Sequence, residues 1–237
     1  MIRNGGYEKL DSPVWHSLSE THKDISINYG HAKFYDPVYC PFGGFLETNN
    51  IASQIDEYSK MISHFFVVGE KPLFSKKLFL RNELICLQMI LEKRIETNAG
   101  EEVMKLDNTS VDALWALVND VQPGYFKKKT NLMGDYFGII KEGKLVAVTG
   151  ERMKMNDFTE VSAVVTHPLY TGKGFAKQLV THTINKIFDE NKTPYLHVAE
   201  TNLGAIRLYE KLGFKIRRRI SFWDLEVRHK LVHGRPG

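Results

Sequence analysis

Cysteine is nearly absent from this chain: 237 residues contain two, Cys40 and Cys86. Two thiols cannot build the disulfide framework of a secreted scaffold, and their scarcity points to a reducing compartment. Long apolar runs are missing as well. None approaches the roughly 18 residues of a membrane span, and "MIRNGGYEKLDSPVW" at the start has no apolar signal core. Strong charge of one sign is also lacking. A formal net charge of +4 favours a small anionic ligand but falls short of a nucleic-acid surface. Nine histidines include no H-E-x-x-H or comparable ligand spacing, so no metal site is expected. The expectation is a soluble, cytoplasmic protein without membrane or nucleic-acid partners.

What is present is ordinary globular composition, 43% hydrophobic and 25% charged, over a length that suits one large domain or two small ones. Up to residue 98, short apolar runs alternate with turn signals, predicting a smaller α+β domain over 1–98 with no chemical motif. Ser12-Pro13 opens a helix, with Ser12 as its cap. "ISINYGHAKFY" reads as a hairpin, "DPVYCPFGGF" as an irregular connection and "NIASQIDEYSKMI" as a helix. "HFFVVGEKP" is a strand, and "ELICLQMILE" a buried strand or short helix. The polar stretch "IETNAGEEVMKL" marks a boundary, leaving 99–237 as a second domain.

There the pattern is more regular. In "NTSVDALWALVNDV", Val111, Leu114, Leu117 and Val118 share a helical face, with Thr109 or Ser110 as cap. Hairpin signals follow in "DYFGIIKEGKLVAVTGERM", then a strand in "FTEVSAVVTHP". Helical spacing runs from about Lys173 to Asp189, "PYLHVA" is a strand, and Leu203, Ile206, Leu208, Tyr209 and Leu212 form the apolar face of a last helix before Gly213. The order from residue 103 is β-α-β-β-β-α-β-α-β, a mixed α/β (α+β) sheet with a right-handed βαβ crossover. The first half reads as a degenerate copy of the second.

"THPLYTGKGFAKQL", residues 166–179, joins a strand to a helix through Gly172 and Gly174. Such a turn aims backbone N–H groups and the positive end of a helix dipole at one point, which suits a phosphate, or it simply makes the turn. It is neither a dinucleotide fingerprint, since Lys177 stands at the third glycine position, nor a P-loop, since its lysine precedes Gly174.

"EVSAVVTHPLYTGKGFAKQLV" followed by "TPYLHVAETNLGAIRLYEKLGF" resembles the GNAT superfamily of N-acetyltransferases. N-x-x-A-I-x-L-Y-x-x-x-G-F, from Asn202 to Phe214, carries the likeness most specifically. With "GERM…TEVSAVVTHP" the chain looks most like the branch related to glycine N-acyltransferases, over roughly residues 103–226. "PVWHSL" and "PFGGF" resemble N-terminal pieces of bacterial members. The resemblance implies a splayed sheet that holds acetyl-CoA between "EVSAVV" and "PYLHVA". The family's pyrophosphate loop falls on Thr171, Gly172, Lys173, Gly174, Phe175 and Ala176, with Thr171 where the family has Arg or Gln. Val164, Val165 and Thr166 match the strand that meets the pantetheine arm. Asn202 matches a cofactor-bonding position, and Tyr209 the tyrosine near the cofactor sulfur.

Acetyl transfer needs a neutral amine, a polarised thioester and a proton for the leaving thiolate. A phenol such as Tyr209 can supply that proton. Glu160 stands where some members carry a general base. Period-two alternation puts it on one face with Ser162 and Val164, so it either points toward the acceptor amine or stands as a solvated carboxylate at a strand end, with ordered water as the other candidate base. His197 and His167 read as structural, although His197 could face the acceptor pocket. In "KIRRR", Lys215, Arg217 and Arg219 read as one solvated strand face. The acceptor is a small-molecule or peptide amine: a free amino acid, a small amine and a protein N-terminus all fit. A catalytically inactive acyl-CoA sensor is the alternative, and a nucleic-acid-binding module a weaker third.

Overall fold

The computed structural model describes residues 6–48, 50–96 and 100–228; the expected boundary at 98–99 lies outside them. The first half forms α1 (Pro13–Ser19), β1 (Ser26–Asn28), β2 (Ala32–Tyr35), β3 (Phe42–Phe45), α2 (Ile51–Tyr58), β4 (His64–Gly69) and β5 (Leu78–Ile90). The second forms β6 (Met104–Lys105), α3 (Val111–Val121), β7 (Tyr136–Lys141), β8 (Lys144–Lys154), β9 (Phe158–Thr166), α4 (Phe175–Asp189), β10 (Thr193–Ala199), α5 (Leu203–Lys211) and β11 (Lys215–Val227). Pro13 sits in the first turn of α1, where its missing N–H costs nothing. The β7–β8 turn puts Glu142 and Gly143 at φ 50° and 73°, the positive pair that a two-residue hairpin turn requires.

All these strands join one mixed sheet, in the order β1-β2-β3-β4-β11-β5-β10-β9-β8-β7-β6. Its internal logic is a repeat with exchanged ends. β3 and β4 run parallel across the α2 crossover, and β9 and β10 run parallel across α4. β5, which ends the first half, pairs antiparallel with β10 of the second. β11, which ends the second, pairs antiparallel with β4 of the first. The two exchanged strands lie against each other in the middle of the sheet. One buried cluster accordingly mixes Leu10, Val14, Tyr35 and Phe42 with Met153, Phe158, Tyr195 and Phe222. At about 1.5–3 kcal/mol for each large apolar side chain fully buried, this shared cluster contributes to the stability of both halves.

Several local expectations are changed or refined. "PFGGF" is not irregular: it is β3, buried along its length. Its glycines are demanded by packing, since a Cβ on Gly43 would stand 2.1 Å from the Phe34 ring and one on Gly44 3.1 Å from Val14. The strand alternative holds for "ELICLQMILE". Ser12 caps α1 without a side-chain hydrogen bond. Ser110 is the N-cap of α3, without a side-chain bond, and the side-chain cap belongs to the 3-10 turn before it, where Asp107 accepts the Thr109 N–H at 2.9 Å. Leu203 is exposed, because α5 begins there with its first turn outside the core.

The "KIRRR" alternation is also broken. The β5–β11 register slips between Ile216 and Arg218, leaving Arg217 as a bulged residue. Arg217 turns inward to Gln88 and Asp11 instead of joining Lys215 and Arg219 in solvent.

Candidate functional site

β9 and β10 pair only over Thr193↔Phe158, Pro194↔Thr159 and Tyr195↔Glu160. Beyond Glu160 and Tyr195 the parallel strands part, so residues 161–166 of β9 and 196–199 of β10 face a gap in the ladder. A cavity of about 550 Å³ opens there, lined by Val161–Val164, His197–Ala199, Asn202 and Tyr209 among others.

The β9 edge of the gap carries an irregularity that alternation did not announce. Ala163 has φ 49°, a left-handed conformation that costs a non-glycine residue energy and persists only where the surroundings fix it. The β8–β9 register jumps from Val148↔Val165 to Gly150↔Ser162, so Ala163 and Val164 have no ladder partner on β8. The bulge resets the faces. Val161 and Val164, three residues apart, pack in one cluster, while Ala163 and Val165 pack in another. Val164 therefore does not share a face with Glu160 and Ser162 as expected.

The glycine turn meets the start of α4 beside this gap. Gly172 and Gly174 have φ 77° and 81°, and a Cβ at either would touch nothing. They are needed for backbone conformation rather than close packing. Gly174 caps α4 without a side chain, and the first bond inside the helix is Gln178 N–H to Gly174 O at 3.1 Å. The N–H groups of Phe175, Ala176 and Lys177 are left for an outside acceptor. Thr171 spends its hydroxyl on the Pro168 carbonyl at 3.0 Å, so it acts within the loop. A second cavity, of about 620 Å³, adjoins the same helix start and is lined by Lys173, Gly174, Lys177 and Lys211 among others.

Asn202 caps α5: its Oδ1 accepts the Ala205 N–H at 3.1 Å, and its amide nitrogen has no partner among the described residues. Tyr209, one and a half turns into α5, is buried in the wall of the first cavity. Its hydroxyl makes no hydrogen bond among the described residues. Burial pushes its pKa up to about 12, so the phenol stays protonated.

Glu160 is not a solvated carboxylate at a strand end. It is fully buried. Arg152 donates to it twice, from Nε at 2.8 Å and from Nη2 at 2.7 Å, and the Met153 N–H donates at 3.3 Å. His197 Nδ1 lies 2.8 Å from its other oxygen. Burial alone would raise its pKa, but the Arg152 charge and these hydrogen bonds outweigh that and bring it down to about 2. A carboxylate so acidic holds a proton poorly at neutral pH. Its evident task is to fix Arg152 and His197.

His197 is a cavity-wall residue whose ring protons can be assigned. Gln88 Nε2 donates to the Leu10 carbonyl at 2.7 Å and lies 3.0 Å from His197 Nε2, while Gln88 Oε1 accepts from Arg217 at 2.8 Å. These partners fix the Gln88 amide, so His197 Nε2 accepts and Nδ1 carries the proton toward Glu160.

Sequence reasoning assigned no part to Arg152 or Gln88, and placed acceptor specificity in the "DVQPGYFKKKTN" loop without singling out Tyr125 or Phe126. The one signal for Arg152 was a basic residue in a strand otherwise reading as buried. Gln88 gave only a polar residue inside an apolar run. Tyr125 and Phe126 reach the cavity from a Pro-Gly loop whose path has no periodicity. His167, read as structural, accepts the Leu169 N–H at 3.2 Å and braces the turn after β9. Among the described residues no three His, Cys, Asp or Glu are grouped to hold a metal ion, and no helix is long and apolar enough to cross a membrane.

The FR47-like protein family model matches residues 136–223, from β7 into β11. No curated protein sequence matches the chain. Among solved structures, a protein of Novosphingobium aromaticivorans described as an acetyltransferase of the GNAT family superposes with a TM-score of 0.87 at 29% identity, covering 94% of this chain and 100% of that one. A GCN5-related N-acetyltransferase from Kribbella flavida gives 0.63 at 13% identity, over 97% and 98%. A tandem GNAT protein from clavulanic acid biosynthesis gives 0.55 at 12%, over 84% and 78%. The parted β9 and β10, the helix start beside them and the repeat with exchanged strands are thus a GNAT fold in a tandem arrangement.

Proposed function

We propose that this chain is an N-acyltransferase that moves an acetyl group from acetyl-CoA to a primary amine. One observation carries the reading: the gap between β9 and β10 and the free Tyr209 hydroxyl face one cavity, and the first turn of α4, with its open N–H groups, reaches it through Ala176. Acetyl-CoA supplies an activated acyl group and a good leaving thiolate. The chain's residues meet its parts in order. Val164, Val165 and Thr166 lie along the edge where the pantetheine arm would run. The N–H groups that follow Gly174 suit a pyrophosphate, with Thr171, Gly172 and Lys173 shaping the approach and Phe175 and Ala176 opening the helix. Lys177 and Lys211 offer charge to a further phosphate in the second cavity. The Asn202 amide is free to donate.

Tyr209 holds a proton next to the gap and yields it to the departing thiolate. As the C–N bond forms and the C–S bond breaks, the neutral amine loses one proton to water, the thiolate gains one from the phenol, and the Tyr209 phenolate takes one back from solvent. We assign Glu160 the positioning of Arg152 and His197, and the deprotonation of the amine to solvent. Cys40 and Cys86 are both free and buried, and burial pushes each thiol up to about 12. Neither serves as a nucleophile, which leaves direct transfer as the route, in a reducing, cytoplasmic setting.

The test is a calorimetric titration with acetyl-CoA, repeated on a Gly174→Glu variant whose fold is checked by circular dichroism. Micromolar binding that the variant loses supports the reading. A folded wild-type protein that does not bind refutes it. Tight binding without turnover on any amine leaves the inactive acyl-CoA sensor in its place.

A further inference from the structure

Arg152 presents one edge of its guanidinium to Glu160 and has the other unused. Nε and Nη2 make the two bonds to Glu160. Nη1 makes none among the described residues, yet it is not counted among the sealed, unpartnered buried atoms. Arg152 lines the cavity that Tyr209 also lines. The group is held rigidly: its side chain is only 15% exposed, and its guanidinium carbon sits 4.8 Å over the Phe42 ring.

The rest of the cavity narrows what can sit there. Its acceptor side is apolar and aromatic, with Leu84, Tyr125, Phe126 and Phe222 beside Phe42. Of the residues lining it, Arg152 is the one with a permanent charge, and Glu160 pairs with only one edge of it. No Asp or Glu lines the cavity, and both His197 ring nitrogens are engaged, by Glu160 and by Gln88. A diamine or a basic peptide would bring a second cation into an apolar space beside Arg152 with no counter-ion, at a large desolvation cost. A plain hydrocarbon amine would cover the Nη1 donors and leave them unpaired. A carboxylate satisfies them with charge-assisted hydrogen bonds to an already oriented fork.

We propose that the acceptor is an amino acid with an apolar side chain, its carboxylate held by the free edge of Arg152 and its body by the aromatic wall. This rests on the acetyl-CoA-dependent reading above. The reaction is then N-acetylation of the amino acid: the acetyl group moves from sulfur to nitrogen, the amine proton leaves to water, and the thiolate is protonated by Tyr209. Arg152 fixes specificity and takes no part in the bond changes.

The experiment compares phenylalanine and leucine with phenethylamine and isoamylamine, their decarboxylated counterparts, as acceptors for the wild-type protein and acetyl-CoA. The expected result is a kcat/KM for the acids at least about a hundredfold above that for the amines, as for a site that hydrogen-bonds a group the analogue lacks. Arg152→Lys keeps a cation against Glu160 but has no second edge. In it the acid-to-amine ratio should fall toward one, mainly through the KM of the acids. If the wild type uses the amines as well as the acids, the carboxylate anchor is overturned while acetyl transfer stands. If a protein that binds acetyl-CoA turns over neither class, the amino-acid proposal fails, and the acetyl-transfer reading falls with it only when a wider amine panel is inert too. The wild-type comparison decides the matter even if the variant does not fold.

Discussion

Gln88 and His197 face each other across the β5–β10 pair, 3.0 Å apart, and they come from opposite halves of the chain. Through this contact the first half sets the tautomer of a residue in the wall of the candidate site. Gln88 also holds the Leu10 carbonyl and Arg217. Gln88→Leu fills similar space but leaves three buried polar partners unsatisfied, at about 1–3 kcal/mol for such a loss. Urea denaturation should show the midpoint falling by a corresponding amount. A midpoint equal to wild type would mean that water replaces the amide and that the two halves are not coupled here.

Two buried groups give the protein a stepped response to acid. His22 donates from Nε2 to the Met133 carbonyl at 2.9 Å and lies against Ser17 and Tyr35. Burial holds its pKa down to about 4, against an ordinary 6.5. The unfolded chain therefore takes the proton first, and stability present above pH 6.5 is lost as pH falls toward 4. His16 and His182 are shifted in the same sense. Glu160 acts lower: its pKa is about 2 against an ordinary 4.5, so its contribution is complete above pH 4.5 and drains away toward pH 2. Urea midpoints measured from pH 7 to pH 3 should fall throughout. His22→Asn should flatten the upper part of the curve, and an unchanged slope there would place the titration elsewhere.

Tyr209 should matter to rate and little to binding. Its hydroxyl has no protein partner to lose, so Tyr209→Phe should fold normally and keep its affinity for acetyl-CoA within about twofold. If the phenol protonates the thiolate, kcat should drop by about a hundredfold, the lower range for a general acid. An unchanged kcat would reduce Tyr209 to a wall residue.

Much of this site was legible because backbone geometry writes itself in glycine and in caps. Gly172, Gly174, Asn202 and the apolar spacing around Tyr209 each have a local physical reason, and local reasons survive in a single sequence. Glu160 was visible as a residue but its environment was not. Whether a carboxylate is a free base or half of a buried ion pair depends on Arg152, eight positions away across a bulged hairpin. The bulge at Ala163 broke the alternation on which that expectation rested. The first half hid more. β3 is written in glycines, which read as a loop unless Phe34 is known to lie against Gly43. The exchange of β5 and β11 joins segments far apart in the chain by partner choice, which has no signature in either strand alone.

The same repeat predicts how many acetyl-CoA molecules bind. The crossover β3-α2-β4 occupies in the first half the position of β9-α4-β10 in the second, so two sites could be imagined. The first half has dismantled its copy. The connection from β3 to α2, "LETNN", has no glycine and carries Glu47, whose charge opposes a phosphate. α2 spans eight residues where α4 spans 15. The flank of β3 is filled as well: the Phe34 and Tyr58 rings stack with centroids 4.0 Å apart, and Phe65 meets them edge-on at 5.9 and 5.1 Å. An arm threaded beside β3 would have to displace these rings, each worth several kcal/mol of packing. Calorimetry should therefore give one acetyl-CoA per chain, with no second, weaker isotherm at millimolar ligand. A stoichiometry of two would show that the first half binds acyl-CoA without a glycine turn, and the α4 start would lose its claim as the feature that makes the site.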